Sequence, residues 1–242
     1  MLWRDLEFLV YYDGVFDDRF TKLPGTDMEK FLVAKEEDEN YHLLQAKLSA
    51  SCRKMIMMWV AGDRAIEAEA QFYSATYHDS PALFGEEAVN LHYHLESFVL
   101  FARSALDIAS RLFGELLPEP IQKKRFDSFN DLVKSIMASS QPPGLAATFG
   151  SLRDNPFSWL SFVADIQKGR SLRDKLVHQI GFPIEYMELR PPSEKESAVV
   201  FLGKDKYLPL PQFVNTLREG VINGFLLLEQ ACLAPPKSAE PV

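Results

Sequence analysis

The feature that most constrains the fold is a long apolar stripe between residues 82 and 117. Residues 79–81, Asp-Ser-Pro, precede it as a helix-start signal, and Pro118 and Pro120 follow it as a stop. Its apolar residues advance by threes and fours, the spacing that places side chains on one face of an α-helix: Leu91, Leu95, Phe98, Ala102, Ala105, Ala109, Leu112 and Leu116. A helix of this length must bury that face, so the sequence predicts a mainly α-helical protein.

Further helices are predicted on both sides of the stripe. Residues 27–77 are rich in good helix formers and contain one glycine, Gly62, so we expect one or two helices with a break near it. A short helix is expected at 127–138, a turn at 141–144, and a helical segment after Pro156. Residues 211–233 return to helical spacing, with a buried stripe of Phe213, Leu217, Val221, Phe225 and Leu228.

Two short segments before this last helix have β character. Residues 184–189 and 198–202 contain β-branched and aromatic side chains, and a polar, proline-containing loop separates them, so they predict a β-hairpin. The fold class is therefore mainly α, a helical bundle with a small β-hairpin before the last helix. We divide the chain into a partly helical N-terminal extension at 1–81, a helical domain at 82–234 and a disordered tail at 235–242.

Composition limits the classes of partner. Hydrophobic residues make up 47% and charged residues 25% of the 242 residues, as in ordinary globular proteins. The formal net charge is −8, so no general positive field attracts a polyanion and any RNA contact must be local.

The cysteines and the apolar runs indicate a cytoplasmic protein. Cys52 and Cys232 are far apart in sequence and lack metal-binding spacing, so we expect two reduced, buried thiols. The acidic N-terminus does not resemble an export signal. Residues 55–61 form the most apolar run, about a third of the ~20 residues that a membrane span needs, so we assign it to the core and expect no membrane association.

Residues 173–178, Arg-Asp-Lys-Leu-Val-His, carry the candidate chemistry. His178 lies in the last helical turn before Gly181, where the helix dipole favours imidazolium, and a histidine that titrates near neutral pH can serve as general acid or base. Asp174 lies four residues earlier on the same face and can orient that imidazole. Arg173 offers a planar, permanently charged fork suited to a phosphate. Equally, the histidine can cap helix carbonyls and the arginine can pair with an acid on a neighbouring helix.

An arginine followed by an acidic residue, with histidine five positions after the arginine near a helix end, resembles the Arg-x4-6-His signature of the HEPN family of helical RNases and nucleotide-binding modules. The long helix with residues 104–107, Ser-Ala-Leu-Asp, also resembles the first core helix of that family. The resemblance covers roughly residues 82–233.

Membership would imply a HEPN-like helical domain and metal-independent cleavage of RNA by its own 2′-hydroxyl. Arg173 and His178 would be catalytic, Asp174 would orient His178, and Asp107 and Glu96 would be supporting acids. The resemblance further implies RNA or a nucleotide as ligand, a homodimer, an antitoxin-like protein partner, and neither a metal nor another cofactor. Some family members are non-catalytic, so a binding or scaffold module is the alternative.

A polar stripe accompanies the apolar one on the long helix: His92, Glu96, Arg103 and Asp107. These groups either line a cleft or form a solvated face with internal ion pairs. His92 and His94 point in nearly opposite directions on a helix, so we do not assign them to zinc. The sequence contains no Walker-type loop, GxGxxG or HExxH motif.

Overall fold

A computed structural model describes residues 24–35, 40–79, 85–121, 125–164, 184–185, 197–203 and 206–234. Within these ranges the chain is mainly helical, which confirms the predicted fold class. The helices are α1 (Thr26–Val33), α2 (Tyr41–Asp79), α3 (Glu86–Leu116), α4 (Phe129–Ser139), α5 (Pro143–Asp154), α6 (Trp159–Val163) and α7 (Leu210–Leu233). The strands are β1 (Ile184–Glu185), β2 (Val199–Gly203) and β3 (Lys206–Pro209). No described helix is both long and apolar enough to cross a membrane.

The centre of the molecule is formed by α2 and α3, with α7 packed against both. The predicted stripe of α3 is buried from Leu91 to Leu112, and Leu116 at its end is partly buried. The stripe of α7 is also buried, and edge-to-face aromatic contacts join the two helices, Phe98 to Phe213 and Phe113 to Phe225. The apolar run at 55–61 contributes to the same core, as predicted.

The predicted break near Gly62 is wrong, because α2 continues without interruption through this residue. Gly62 serves packing instead. A Cβ atom at this position would lie 2.9 Å from Nη2 of Arg218 and 2.9 Å from Cγ1 of Val214 on α7. The glycine therefore lets α7 approach α2 closely, a function that helix propensity does not reveal.

The α4–α6 segment differs from its prediction at one element. The helix expected at 127–138 is α4, and Ser128 caps it by accepting a hydrogen bond from the Asp131 amide. Residues 141–144 were predicted as a turn without a following helix, whereas α5 begins at Pro143. Proline fits the first helical turn, so the same Pro-Pro-Gly sequence that indicates a turn also begins a helix.

The predicted hairpin is part of a three-stranded antiparallel sheet with the order β1-β2-β3. Ile184 pairs with Val200, and Val200 pairs with Leu208. The third strand was not predicted; it continues directly into α7, where the Leu210 amide donates to the Ala198 carbonyl at 2.8 Å.

Other boundaries differ modestly from the predictions. Asp79 ends α2, and α3 begins at Glu86, later than the start signal at 79–81 indicated. Side chains on both sides of the predicted division at residue 82 share one hydrophobic core.

Cys52 and Cys232 are free thiols, the first buried and the second half-buried, and burial raises the pKa of each. Residues 1–23 and the predicted disordered tail at 235–242 lie outside the described residues.

Candidate functional site

The motif residues Arg173, Asp174 and His178 lie at 165–183, outside the described residues. The structure does describe the two elements on either side of this segment. Helix α6 ends at Val163 and Ala164 follows it, while β1 begins at Ile184. The chain therefore leaves the described residues at the end of α6 and returns to them at the start of β1.

Asp107 on α3 is one of the two predicted supporting acids, and both of its carboxylate oxygens are engaged. Oδ1 accepts a hydrogen bond of 2.8 Å from the Phe129 amide, in the first turn of α4. Oδ2 accepts one of 3.0 Å from Nε of Arg103, one helical turn away. A carboxylate is favourable at a helix N-terminus because exposed amides and the helix dipole both attract negative charge. Asp107 thus fastens α4 to α3.

Arg103 extends this arrangement to α6. Its Nη1 donates to the carbonyl oxygen of Val163 at 2.5 Å, at the C-terminal end of α6. The Arg103 side chain is 13% exposed and that of Asp107 is 27% exposed, so solvent screens the pair only in part. We call Arg103 and Asp107 the α3 bridge, because together they connect α3 with α4 and α6.

Glu96, the other predicted supporting acid, belongs to a different part of α3. It is eleven residues from Asp107, which corresponds to about 16 Å along a helix. Its carboxylate acts on His92, one helical turn away: burial lowers the pKa of His92, and Glu96 opposes that shift. The structure therefore brings Arg103 and Asp107 together but keeps Glu96 apart from them. The sequence left two interpretations of the polar stripe, a cleft lining and a solvated face with internal ion pairs. Arg103 and Asp107 form such an internal ion pair.

Two buried acids were missed by the sequence analysis. Glu69 on α2 is 6% exposed and accepts a hydrogen bond of 2.6 Å from the Ala198 amide. Glu229 on α7 is also buried and accepts from the amides of Gly25 and Met28, at the N-terminus of α1. Each partner lies more than a hundred positions away in sequence, so no local pattern could have revealed these bonds.

A buried arginine between α2 and α7 was also missed. Nη1 of Arg218 lies 2.8 Å from Oδ1 of Asp63, and its guanidinium stacks over the Trp59 ring with 4.5 Å to the centroid. Both contacts stabilise the guanidinium charge, whose burial would otherwise be costly. The arrangement holds α7 against α2 at the site where Gly62 permits close approach.

Among the residues that the structure describes, no group of three or more His, Cys, Asp and Glu side chains is placed to hold a metal ion. No protein-family model, curated protein or solved structure matches the chain.

Proposed function

We propose that this chain is a HEPN-type, metal-independent endoribonuclease whose catalytic residues are Arg173 and His178. The observation that supports this best is the position of the α3 bridge. Arg103 is bonded to Val163, two residues before the segment that contains the motif begins at residue 165. A catalytic pair must be held in a fixed geometry by its surroundings, and this bond fixes the point from which the motif segment departs.

The proposed chemistry needs only the side chains of the motif. His178 removes the proton from an RNA 2′-hydroxyl, and that oxygen attacks the adjacent phosphorus. The bond from phosphorus to the 5′-oxygen breaks, and this oxygen takes up a proton from the protonated His178 or from water, leaving a cyclic phosphate and a 5′-hydroxyl. Arg173 binds the phosphate oxygens as their charge increases, and Asp174 orients the imidazole. DNA lacks the attacking hydroxyl and is not cleaved.

The proposal extends to assembly and location. Two copies form a homodimer that brings both motifs to one cleft, the protein acts in the cytoplasm, and an antitoxin-like protein is its natural inhibitor. The net charge of −8 gives the chain little general attraction for RNA, so substrate is recognised locally at the cleft. Asp107 acts as a support through Arg103 and α6 and does not exchange protons with the substrate.

The test is cleavage of a labelled structured RNA and its DNA counterpart in the presence of a chelator. The chain supplies a matched control, because Ser-Leu-Arg-Asp occurs at 151–154 and again at 171–174. Arg153 on α5 forms an ion pair with its neighbour Asp154, with 2.9 Å between Nε and Oδ1. We expect Arg173→Ala and His178→Ala to abolish RNA cleavage and Arg153→Ala to retain it, with folding checked by circular dichroism. Cleavage that survives loss of Arg173, Asp174 and His178 together would refute the assignment.

A second candidate is a non-catalytic HEPN-like binding or scaffold module. The engagement of both Asp107 oxygens in contacts between helices favours it, because a fully bonded acid serves structure better than chemistry. In that case the wild-type protein leaves RNA intact. His178→Ala then lowers the free energy of unfolding by about 1 kcal/mol through loss of a helix-end interaction.

A further inference from the structure

Glu69 lies where the sheet meets the helical bundle. It is on α2, it is nearly inaccessible to solvent, and its Oε1 accepts a hydrogen bond of 2.6 Å from the Ala198 amide. Ala198 is itself buried and directly precedes β2. One carboxylate therefore connects the longest described helix to the sheet.

The position of this bond gives it influence over the whole sheet. β2 is the central strand, paired with β1 on one side and with β3 on the other. The carbonyl of Ala198 accepts the Leu210 amide at 2.8 Å, so the same residue also connects the sheet to the start of α7. Opening at Ala198 would expose Glu69 to water and loosen both connections together.

The charge of Glu69 is poorly compensated in this location. A buried ionised carboxylate is unfavourable unless nearby positive charge or several hydrogen bonds replace water. Arg218 on α7 is paired with Asp63, and Arg64 on α2 itself is paired with Glu67. Within two helical turns of Glu69, the charged and titratable groups of α2 are Asp63, Arg64, Glu67 and Tyr73. Those on the other elements of this region include His94 on α3, Lys206 and Tyr207 on β3, and Arg218 and Glu219 on α7.

We propose that Glu69 is a pH-controlled latch, which holds the central strand of the sheet on α2 when it is protonated and releases it when it is ionised. The protonated acid still accepts the Ala198 hydrogen bond through its carbonyl oxygen, without the cost of a buried charge. The ionised acid is stabilised by water, and water reaches it when the strand moves away.

The pH range follows from the Glu69 carboxyl group itself. Burial raises its pKa from 4.5 to about 7, and the hydrogen bond from Ala198 acts in the opposite direction. Because the pKa is higher in the closed state than in the open one, the latch is strongest below pH 4.5. It weakens as the pH rises towards 7 and changes little above that value. Within this range the open population grows by up to about tenfold per pH unit.

Hydrogen exchange measured by mass spectrometry on the whole chain tests the latch. Exchange of the amides at 197–203 and 206–210 is compared at pH 5 and pH 8, after correction for the intrinsic pH dependence of exchange. We expect the open population of the wild type to be larger at pH 8 by about tenfold or more. In Glu69→Gln, which keeps an oxygen acceptor but cannot ionise, it should change by less than about twofold.

Two controls make the result specific. Glu67→Gln removes an exposed carboxylate two residues away and should behave as the wild type. The amides of α3 report global unfolding, and their exchange should not follow the pH dependence of the sheet. The latch is overturned if Glu69→Gln retains the wild-type dependence, or if α3 and the sheet respond equally in the wild type. The comparison of α3 with the sheet needs no variant, so it remains decisive if Glu69→Gln does not fold.

Discussion

The bundle of α2, α3 and α7 and the shorter elements around it are stabilised in different ways. The three long helices bury apolar stripes against one another, and many side chains share the stabilisation. The shorter elements also contribute apolar side chains, but α1, the sheet, α4 and α6 are in addition connected to the bundle by particular buried or half-buried polar groups. These are Glu229 for α1, Glu69 for the sheet, and Arg103 with Asp107 for α4 and α6.

This difference determines how each region responds to change. Apolar burial is non-directional and spread over many residues, whereas a buried hydrogen bond has one donor and one acceptor. Loss of one partner leaves the other desolvated and unsatisfied. We therefore expect substitutions of these polar groups to loosen single elements. Substitutions in the apolar interfaces between helices should destabilise the whole fold.

The largest effect is expected at the packed contact between α6 and α7. A Cβ at Gly220 on α7 would lie 2.1 Å from Cγ of Trp159 on α6, so the indole would have to move. We expect Gly220→Ala to lower the free energy of unfolding by about 3 kcal/mol in urea titrations. Gly150→Ala on α5 is the matched control, because a Cβ there meets nothing within 4 Å. It should raise stability by roughly 0.5–1 kcal/mol, and equal effects at the two sites would contradict the packing argument.

Removal of the Glu229 carboxylate should have the next largest effect. Glu229→Ala leaves the amide of Met28, now bonded at 2.6 Å, without this acceptor at the start of α1. We expect a loss of about 2 kcal/mol, with faster hydrogen exchange at 24–35 than in α3. Glu219→Ala, on an exposed position of the same helix, is the control. Uniformly faster exchange throughout the chain would show that Glu229 supports the bundle and not α1 alone.

The α3 bridge should give a smaller coupling energy. In a double-mutant cycle of Asp107→Asn and Arg103→Met, we expect an interaction of about 1 kcal/mol, since the pair is partly shielded from solvent and holds one good hydrogen bond. The asparagine retains an oxygen for the Phe129 amide, so the cycle isolates the interaction with Arg103. A coupling near zero would mean that the ion pair between Arg103 and Asp107 does not stabilise the fold.

The smallest effect is expected for Arg64 and Glu67, which lie one turn apart on α2 at 2.6 Å with both side chains more than half exposed. Their coupling in the corresponding cycle should be below about 0.5 kcal/mol, because water and salt screen exposed pairs. A coupling as large as that of the α3 bridge would show that burial does not control the strength of these pairs.

The sequence predicted the bundle well because its signal is local and repeated. The stripes of α3 and α7 recur every three or four residues, and burial acts on all of them at once. Gly62 was wrongly predicted to break the helix. Glycine has the same low helix propensity whether it ends a helix or lets a neighbouring helix approach closely. Helix α5 was missed because its Pro-Pro-Gly start is also a turn signal. Strand β3 was missed because its four residues, Lys-Tyr-Leu-Pro, include no β-branched side chain and end in proline.

The candidate site was predictable only in part. Asp107 was singled out from the sequence, but its role as a connector depends on Phe129 and Arg103, which only the fold brings together. Glu69 and Glu229 gave no signal, since their partners lie 129 and 201 positions away. Arg173, Asp174 and His178 lie outside the described residues, so their catalytic roles stay predictions.

The enclosed position of Trp159 also makes this residue an optical probe. Its indole is almost fully enclosed, and the six-membered ring lies against Gly224 while the five-membered ring lies against Gly220. Indole fluorescence shifts to longer wavelength when water reaches the ring. The emission wavelength of Trp159 therefore reports whether α6 is packed against α7. With Trp3 and Trp59 replaced by phenylalanine, this residue would be the sole tryptophan of the chain. The proposed binding of RNA or of a protein partner could then be tested in real time without an attached dye.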